Sequence, residues 1–394
     1  MRNESVAILD IRSYVVSFVL GSRGVNGTFV FCGSHDEEYD GFSKDGFFDE
    51  QSFRDAVANA VNSVRQNYGG EIDEVFVGVP SAFIELKTKG HALSFPSKRK
   101  ITLQDIDALY ESGLVELMES KRCIRKSNMY FTLGDKRKYF LAEDLYGVPT
   151  TLLQGALCYY FINDTFYELV LSILNGLGIT KLRFLPTTLT EALYLLPEKR
   201  REGYAFLLDV GFLISSISVV YGNGIVHEET FDFGKGTLLV SLMENLDVEY
   251  ETAEEILRSA SVAGGNVPKD LRWTSDSGEL SFPMQTINDI IKCGLDVLCE
   301  RVEAFFQKYY KEKGAVFAVN PISITGEGIQ FVAGATEHIA GRLNRLTEIV
   351  TPDLPYYDKP VYSSRMSLLN TALSDRKKRG LFYRIFNGFG GRKK

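Results

Sequence analysis

Two stretches of the chain repeat one pattern of apolar and polar positions. Ala7–Gly24 and Phe206–Gly224 each contain an apolar run that ends at an aspartate, a short loop, a run rich in β-branched residues, and a glycine turn. Such a pattern predicts a β-hairpin with an acid at the end of its first strand. Because Asp10 and Asp209 occupy equivalent places in the two stretches, the sequence predicts a duplicated domain.

Helical and strand-like patterns follow the first hairpin. Glu50–Tyr68 has apolar residues at helical spacing, and Glu74–Val79 is typical of a strand that ends at a proline. Thr102, with Asp105 three residues later, is a capping-box signal that begins another helix. Strand-like runs flank this helix at Ala82–Leu93, Asn128–Thr132, Lys138–Glu143 and Thr151–Tyr159. We expect a small α+β subdomain inserted at residues 81–160.

These patterns divide the chain into five parts. The expected parts are a first half at 1–80 and 161–203, an insertion at 81–160, a second half at 204–240 and 312–373, a smaller insertion at 241–311, and a tail at 374–394. Within the smaller insertion, the glycines, prolines and single tryptophan of Ser261–Ser281 predict a short hairpin. The pattern after that hairpin leaves open whether one continuous helix or two helices follow.

Composition excludes several classes of protein. A chain of 394 residues with 45% apolar and 24% charged residues is typical of globular proteins, not of disordered or collagen-like ones. Its five cysteines form no CxxC pair and its four histidines are isolated, which argues against a metal site and favours reduced thiols in the cytosol. We expect no secretory signal at Met1–Asp10. The apolar stretch Ala205–Gly224 is interrupted by Asp209, so we expect no membrane-spanning helix there.

The C-terminal tail differs from the rest of the chain in charge. Residues 375–394 contain eight basic residues and one acid, a net charge of +7, whereas the whole chain has a net charge of −7. Apolar residues recur at helical spacing within it: Leu381, Phe382, Ile385, Phe386 and Phe389. Basic residues flank them: Lys377, Lys378, Arg379 and Arg384. The tail predicts an amphipathic helix that binds anionic membrane lipid. We expect no nucleic-acid partner, because phosphate contacts need no apolar stripe.

In this order, the landmarks resemble those of the actin/Hsp70/hexokinase ATPase superfamily and, within it, the bacterial cell-division protein FtsA. The resemblance covers nearly the whole chain and is most specific in "VFVGVPSAFIELKTKGHALSF", "LPTTLTEALYLLPEKRREGYAFLLDVG" and "ITGEGIQFVAG". It implies an α/β, actin-like ATPase fold with two duplicated RNase H-like halves, an inserted SHS2-type (1C) subdomain and a C-terminal amphipathic helix. A rival is the type IV pilus assembly protein PilM, which shares the layout but usually lacks such a tail.

The resemblance also implies a site for ATP with Mg²⁺ between the two halves. Asp10 and Asp209 match the two acids that hold Mg²⁺ through water in this superfamily. The residues that match its adenosine turn are Gly326, Glu327 and Gly328. An active ATPase or a small-molecule kinase is therefore an alternative function.

Both phosphate loops depart from the family pattern. Arg12 stands where a glycine is usual, before Ser13 at the position of a small hydroxyl residue, and Gly211 is followed by the bulky residues 212–214 instead of small ones. Arg12 could bind a phosphate, or it could pair with the two aspartates and fill an empty site. We expect a degenerate site that binds nucleotide weakly and has no significant ATPase activity.

Two kinds of partner follow from the resemblance. Proteins similar to FtsA bind the C-terminal peptide of the tubulin-like FtsZ on the second insertion, where an arginine commonly follows two isoleucines. Here Lys292 follows the isoleucines, and only Lys292 or Arg301 could substitute for that arginine. The insertion at 81–160 implies self-association into filaments, although its strands and helix also suit a small domain's own core.

The expected function is therefore that of a divergent FtsA-like protein. It would lie on the cytoplasmic face of the plasma membrane, attached through its C-terminal helix, and tether an FtsZ-type polymer at the division site. The alternative is a PilM-like scaffold of a membrane assembly complex.

Overall fold

Strands and helices alternate along the chain, as a computed structural model shows for residues 5–24, 27–117, 121–263, 267–310, 320–329 and 332–388, with the backbone alone for 378–388. The strands there are β1 (Val6–Ile11), β2 (Val15–Arg23), β3 (Phe29–Glu38), β4 (Phe42–Ser43), β5 (Gly46–Phe47), β6 (Glu74–Val79), β7 (Ile84–Lys100), β8 (Cys123–Leu133), β9 (Lys138–Tyr139), β10 (Pro149–Ile162), β11 (Lys181–Pro186), β12 (Tyr204–Val210), β13 (Ile214–Tyr221), β14 (Gly224–Asp232), β15 (Arg272–Thr274), β16 (Ser281–Pro283), β17 (Ile322–Thr325) and β18 (Thr347–Ile349). The helices there are α1 (Glu50–Tyr68), α2 (Leu103–Val115), α3 (Asp164–Gly176), α4 (Thr187–Leu195), α5 (Glu198–Arg201), α6 (Lys235–Leu246), α7 (Tyr250–Ser259), α8 (Met284–Tyr310), α9 (Ala335–Leu343) and α10 (Ser363–Gly388).

Two five-stranded sheets share one topology. The first has the order β11-β6-β1-β2-β3 and the second the order β18-β17-β12-β13-β14, with parallel pairing up to the third strand and antiparallel pairing beyond it. Asp10 lies opposite Ser17 in one hairpin, and Asp209 lies opposite Ser216 in the other. The duplication predicted from the two hairpins is therefore present in the fold.

The inserted subdomain is a four-stranded antiparallel sheet with the order β7-β10-β8-β9, covered on one face by α2. Helix α2 begins at the predicted capping box, in which Thr102 and Asp105 exchange side-chain and backbone hydrogen bonds. Apolar residues of α2 and of the sheet form a separate core that includes Leu109, Phe131 and Tyr159. This core explains why the segment forms a subdomain of its own.

Helix α8 runs without interruption from Met284 to Tyr310, which answers the question that the sequence left open. Its buried positions, among them Ile287, Ile291 and Leu295, recur at helical spacing and join the core of the second half. The predicted short hairpin is present as β15 and β16, where Trp273 lies opposite Phe282.

The first part of α10 packs against the first sheet. Leu368, Leu369 and Leu373 share a buried cluster with residues of β1, β2 and β6. Gly21 and Gly78 allow this contact, because a Cβ at either position would lie 2.9 Å or less from a leucine methyl group. The sequence predicted that residues 312–373 belong to the second half, whereas these leucines of α10 pack on the first half. The reason is packing, since the apolar side chains of α10 are buried against the first sheet.

Helix α10 then continues into the tail with no break. Asp375 accepts a hydrogen bond of 2.6 Å from Arg125 of β8, and Arg376 donates to the carbonyl oxygen of Ser5. The backbone is helical through Gly388, a range that includes Lys377, Lys378, Arg379, Leu381, Phe382, Arg384, Ile385 and Phe386. Phe389 lies outside the described residues. Within the described part of the chain, no helix is both long and apolar enough to cross a membrane.

A junction joins the inserted subdomain to the second half through the turn between β13 and β14. The backbone N–H of Asn223 donates to the carbonyl of Asn128 over 3.0 Å, and the N–H of Ile225 donates to the hydroxyl of Tyr160 over 3.1 Å. The turn residue Gly222 has φ of 59°, and a Cβ there would lie 1.7 Å from the Met129 carbonyl oxygen. The junction thus requires glycine and ties the two halves together at a second place besides the cleft.

Candidate functional site

The candidate site lies in the cleft between the two halves, where β1 and β12 end. Asp10 is fully buried there, and its Oδ2 accepts a hydrogen bond of 2.7 Å from Ser364 at the start of α10. Its Oδ1 has no hydrogen-bond partner among the described residues. Burial raises the pKa of Asp10, although the positive charge of Arg12 and the Ser364 hydroxyl act in the opposite direction.

Arg12 occupies the centre of the cleft. Its Nη1 lies 3.0 Å from Oε2 of Glu327, and its Nε lies 3.8 Å from Oδ2 of Asp10. Asp209 is near enough for the guanidinium to lower the pKa of that carboxyl, but the two do not form an ion pair. The guanidinium therefore bridges the two halves through Asp10 and Glu327, whereas the second role that the sequence left open paired it with Asp10 and Asp209.

The two phosphate loops bond to each other across the cleft. The Ser13 hydroxyl accepts a hydrogen bond of 3.0 Å from the backbone N–H of Leu213. Tyr14 stacks on Phe212 with ring centroids 4.3 Å apart. The N–H of Gly211 donates to the carbonyl of Ile214 over 3.0 Å, which closes the hairpin turn. Two N–H groups that a phosphate cradle would need are thus already used within the protein.

The turn that matches the adenosine motif packs against the same loop. Gly326 has φ of 94°, and a Cβ there would lie 2.4 Å from the Val210 carbonyl oxygen. The N–H of Gly328 donates to that same carbonyl over 2.7 Å. Glycine is needed here for close packing between two protein segments, and Glu327 between them reaches Arg12.

Further carboxyl groups surround the cleft. Glu191 of α4 is 1% exposed, and its Oε2 has no hydrogen-bond partner in the described part of the chain. Burial, with the nearby negative charge of Asp209, raises the pKa of Glu191 well above its usual range. Burial, with the charges of Glu327 and Asp10, raises the pKa of Asp209 to about 7.

Two residues of the cleft, Glu191 and Ser364, were not among the site residues predicted from the sequence. The signal for Glu191 was present in the quoted stretch "LPTTLTEAL", where Thr187, Thr188 and Glu191 put polar groups on one side of an apolar helix. No comparable signal marks Ser364, which lies at the start of a helix far along the chain from Asp10.

The space that remains in the cleft is small. A cavity of about 60 Å³ is lined by Arg12, Glu191 and Asp209, among others. Sites for small molecules usually have volumes of about 300 to 1,000 Å³, so this cavity suits a few water molecules. No group of three or more His, Cys, Asp or Glu side chains in the described residues could hold a metal ion. The cavity between the closed loops is therefore smaller than the volume that a bound nucleotide would occupy.

The two residues proposed for a partner peptide do not lie together. Lys292 and Arg301 are nine positions apart on the uninterrupted helix α8, a rotation of about 900° at 100° per residue, and so point to opposite sides of it. A single groove on α8 could therefore use one of them, not both.

Comparison with known proteins identifies the architecture. Neither a protein-family model nor a curated protein matches the chain. Similar solved structures include the PilM-PilN type IV pilus biogenesis complex, with a TM-score of 0.61 and 10% identity, covering 93% of this chain and 98% of that one. MreB 5 of Spiroplasma citri bound to AMPPNP has a TM-score of 0.55 and 9% identity, covering 98% of each chain.

The ethanolamine utilization protein EutJ from Carboxydothermus hydrogenoformans is also similar, with a TM-score of 0.52 and 11% identity, covering 95% of this chain and 90% of that one. Identities this low establish the fold and nothing finer. The chain has the actin-like ATPase fold, as the resemblance noted in its sequence implies.

Proposed function

We propose that this protein is a structural member of the actin-like fold that assembles on the inner face of the cytoplasmic membrane and tethers a polymer there without an ATP cycle. The observation that supports the proposal most is the cleft, where Arg12 bridges carboxylates of both halves and the loops bond to each other. Because the protein's own side chains hold the cleft closed, the role of a scaffold is favoured over that of an enzyme.

The tail is the proposed membrane anchor. Because α10 is continuous from the body into the tail, its eight residues from Ser374 to Leu381 span about 12 Å at 1.5 Å per residue. The ion pair of Asp375 with Arg125 further fixes the direction in which the helix leaves the body. The body should therefore lie close to the bilayer in one orientation.

We expect vesicles rich in anionic lipid to bind the protein, and Phe382→Asp with Phe386→Asp to abolish most of that binding. Two acids on the apolar face remove buried area and repel the lipid surface. Vesicle co-sedimentation measures the bound fraction. Tyr383→Asp with Asn387→Asp is the matched control, since it adds the same charge on the opposite side of the helix. Equal loss in both variants would show that charge alone binds the membrane.

The inserted subdomain is the proposed contact between neighbouring copies. Among its described residues, three large apolar side chains are exposed and lie outside its own core: Val115 at 65%, Tyr146 at 44% and Leu141 at 38% exposure. Contacts that repeat head to tail generate filaments, and many copies in a row would hold the membrane better than one.

We expect electron microscopy of lipid monolayers to show rows or filaments of the wild-type protein. Val115→Asp with Tyr146→Asp should give scattered particles that remain bound to lipid, because the change leaves the tail intact. Tyr356→Asp is the control, since Tyr356 is 91% exposed outside the inserted subdomain. Scattered wild-type particles at high surface density would count against the assembly role.

The polymer partner that we favour is an FtsZ-type C-terminal peptide on the second insertion, through either Lys292 or Arg301. A PilM-like scaffold in a membrane assembly complex is the second candidate, supported by the similarity to the fold of the PilM-PilN complex. Fluorescence anisotropy with an FtsZ C-terminal peptide separates them, since a PilM-like scaffold has no need of that peptide.

A further inference from the structure

A second pocket lies beside the junction, away from the cleft. It has a volume of about 290 Å³ and is lined by residues of β9 and the loop after it, of α5, and of the turn between β13 and β14. The inserted subdomain forms one wall and the second half forms the other. A ligand in this pocket would touch both.

The floor of the pocket contains a buried arginine with neutral partners. Arg201 is 5% exposed, and its Nε donates to the Leu196 carbonyl over 2.9 Å. Its Nη1 donates to the Gly222 carbonyl over 2.6 Å and to Oδ1 of Asn223 over 2.7 Å. No carboxylate of the described residues forms an ion pair with it; burial lowers its pKa, and the negative charge of Glu198 on the rim acts in the opposite direction. A buried cation without a counter-ion attracts an anion.

Two more cations line the pocket, and both are exposed side chains. The Lys138 ammonium donates to the Tyr221 hydroxyl over 2.6 Å and lies 4.7 Å from the centre of the Tyr130 ring. The Arg137 guanidinium lies 5.2 Å from the centre of the Tyr139 ring. Within the part of the chain that the structure describes, neither forms an ion pair. Aromatic and hydroxyl groups hold both cations beside the pocket without neutralising them.

Acids on the rim limit what the pocket can accept. Asp144, Glu198 and Glu202 line it as exposed side chains and form no ion pair among the described residues. They would repel a ligand with several negative charges, such as a nucleoside triphosphate or a nucleic acid. The volume lies at the lower limit for small-molecule sites. Tyr139, Phe140 and Leu141 offer apolar contact for a small organic body.

We propose that this pocket binds a small ligand carrying one phosphate or carboxylate group, held by Arg201 and Lys138. Charge-assisted hydrogen bonds to an oxyanion would supply the negative charge that the buried guanidinium lacks. Because Arg201 also holds the turn at Gly222, the bound ligand stabilises the junction between the inserted subdomain and the second half.

Phosphorus NMR with inorganic phosphate, at constant ionic strength in chloride, is the direct test. We expect saturable broadening of the phosphate signal by the wild-type protein and at least a tenfold weaker affinity for Lys138→Met. Lys199→Met is the matched control, since it removes an exposed charge from α5 without touching the pocket. Acetate added as a competitor shows whether carboxylates share the site.

Equal phosphate binding by the wild type and Lys138→Met, or no saturable binding at all, would overturn the proposal. If Lys138→Met fails to fold by circular dichroism, Lys138→Gln provides the same comparison, because the amide removes the charge but can still donate to the Tyr221 hydroxyl. Hydrogen exchange at Ile225 gives a second measure. Phosphate should slow exchange at this amide in the wild type and leave it unchanged in Lys138→Met.

Discussion

Isothermal titration with Mg²⁺-ATP is expected to show, at best, sub-millimolar binding and no turnover. The N–H of Leu213 is bonded to Ser13 and that of Gly211 to Ile214, so two phosphate contacts are lost. Each lost charge-assisted hydrogen bond costs about 1.5 to 3 kcal/mol. Two of them weaken binding by about 10²- to 10⁴-fold relative to a micromolar site. The cavity of about 60 Å³ adds a steric barrier.

Arg12→Gly is expected not to restore binding. The substitution removes one obstacle, but it leaves the loops bonded to each other and removes the positive charge that partly balances Asp10 and Glu327. A triphosphate would then meet carboxylates without a compensating cation. A wild-type dissociation constant below about 10 μM that rises in Arg12→Gly would contradict this account, because Arg12 would then bind phosphate.

Local sequence patterns predicted the elements whose formation depends on residues close together in the sequence. Helix α1 and strand β6 have the predicted bounds, and the capping box at Thr102 begins α2 as expected. Periodicity and capping act over a few residues, so one sequence contains the information. The duplication of the sheets could be predicted from the two hairpins, because their similar patterns of apolar and polar residues predict similar strands.

Contacts between distant segments could not be predicted in the same way. Ser364 bonds to Asp10, and the N–H of Asn223 bonds to the carbonyl of Asn128. No periodicity links these residues, since the partners come from different elements that meet only after the halves have packed. The packing of α10 on the first half is of the same kind. The sequence left two roles open for Arg12, and its contact with Glu327 brings together loops from distant parts of the chain.

The excess of carboxyl groups in the cleft should make stability depend on pH. Arg12 faces Asp10, Asp209 and Glu327, and Glu191 faces them from α4. Burial also raises the pKa of Glu228, on β14, to about 7. Arg12 cannot balance so many ionised groups, and Arg365, the other cation near Asp10, is paired with Asp36, so some of them remain protonated in the folded protein at neutral pH.

The direction in which stability changes with pH depends on whether the folded or the unfolded state binds more protons. Unfolded aspartate and glutamate release their protons near pH 4, whereas Asp209 and Glu228 release theirs near pH 7 in the folded protein. Between these values the folded state binds more protons than the unfolded state. The contribution of these two groups to the free energy of unfolding therefore falls as the pH rises from about 4 to 7, by about 1.4 kcal/mol per pH unit for each group.

Glu191→Gln should therefore stabilise the protein at pH 8 and change it little at pH 5. The amide has nearly the shape of the protonated acid but does not ionise in the unfolded chain, so it removes the cost of keeping a buried carboxyl protonated, about 1.4 kcal/mol for each pH unit between the unfolded and folded pKa values. Urea unfolding at both pH values measures the difference. Glu255→Gln on the exposed side of α7 is the control and should leave the pH dependence unchanged. A Glu191→Gln protein that is less stable than the wild type at pH 8 would show that the ionised carboxylate contributes to closing the cleft.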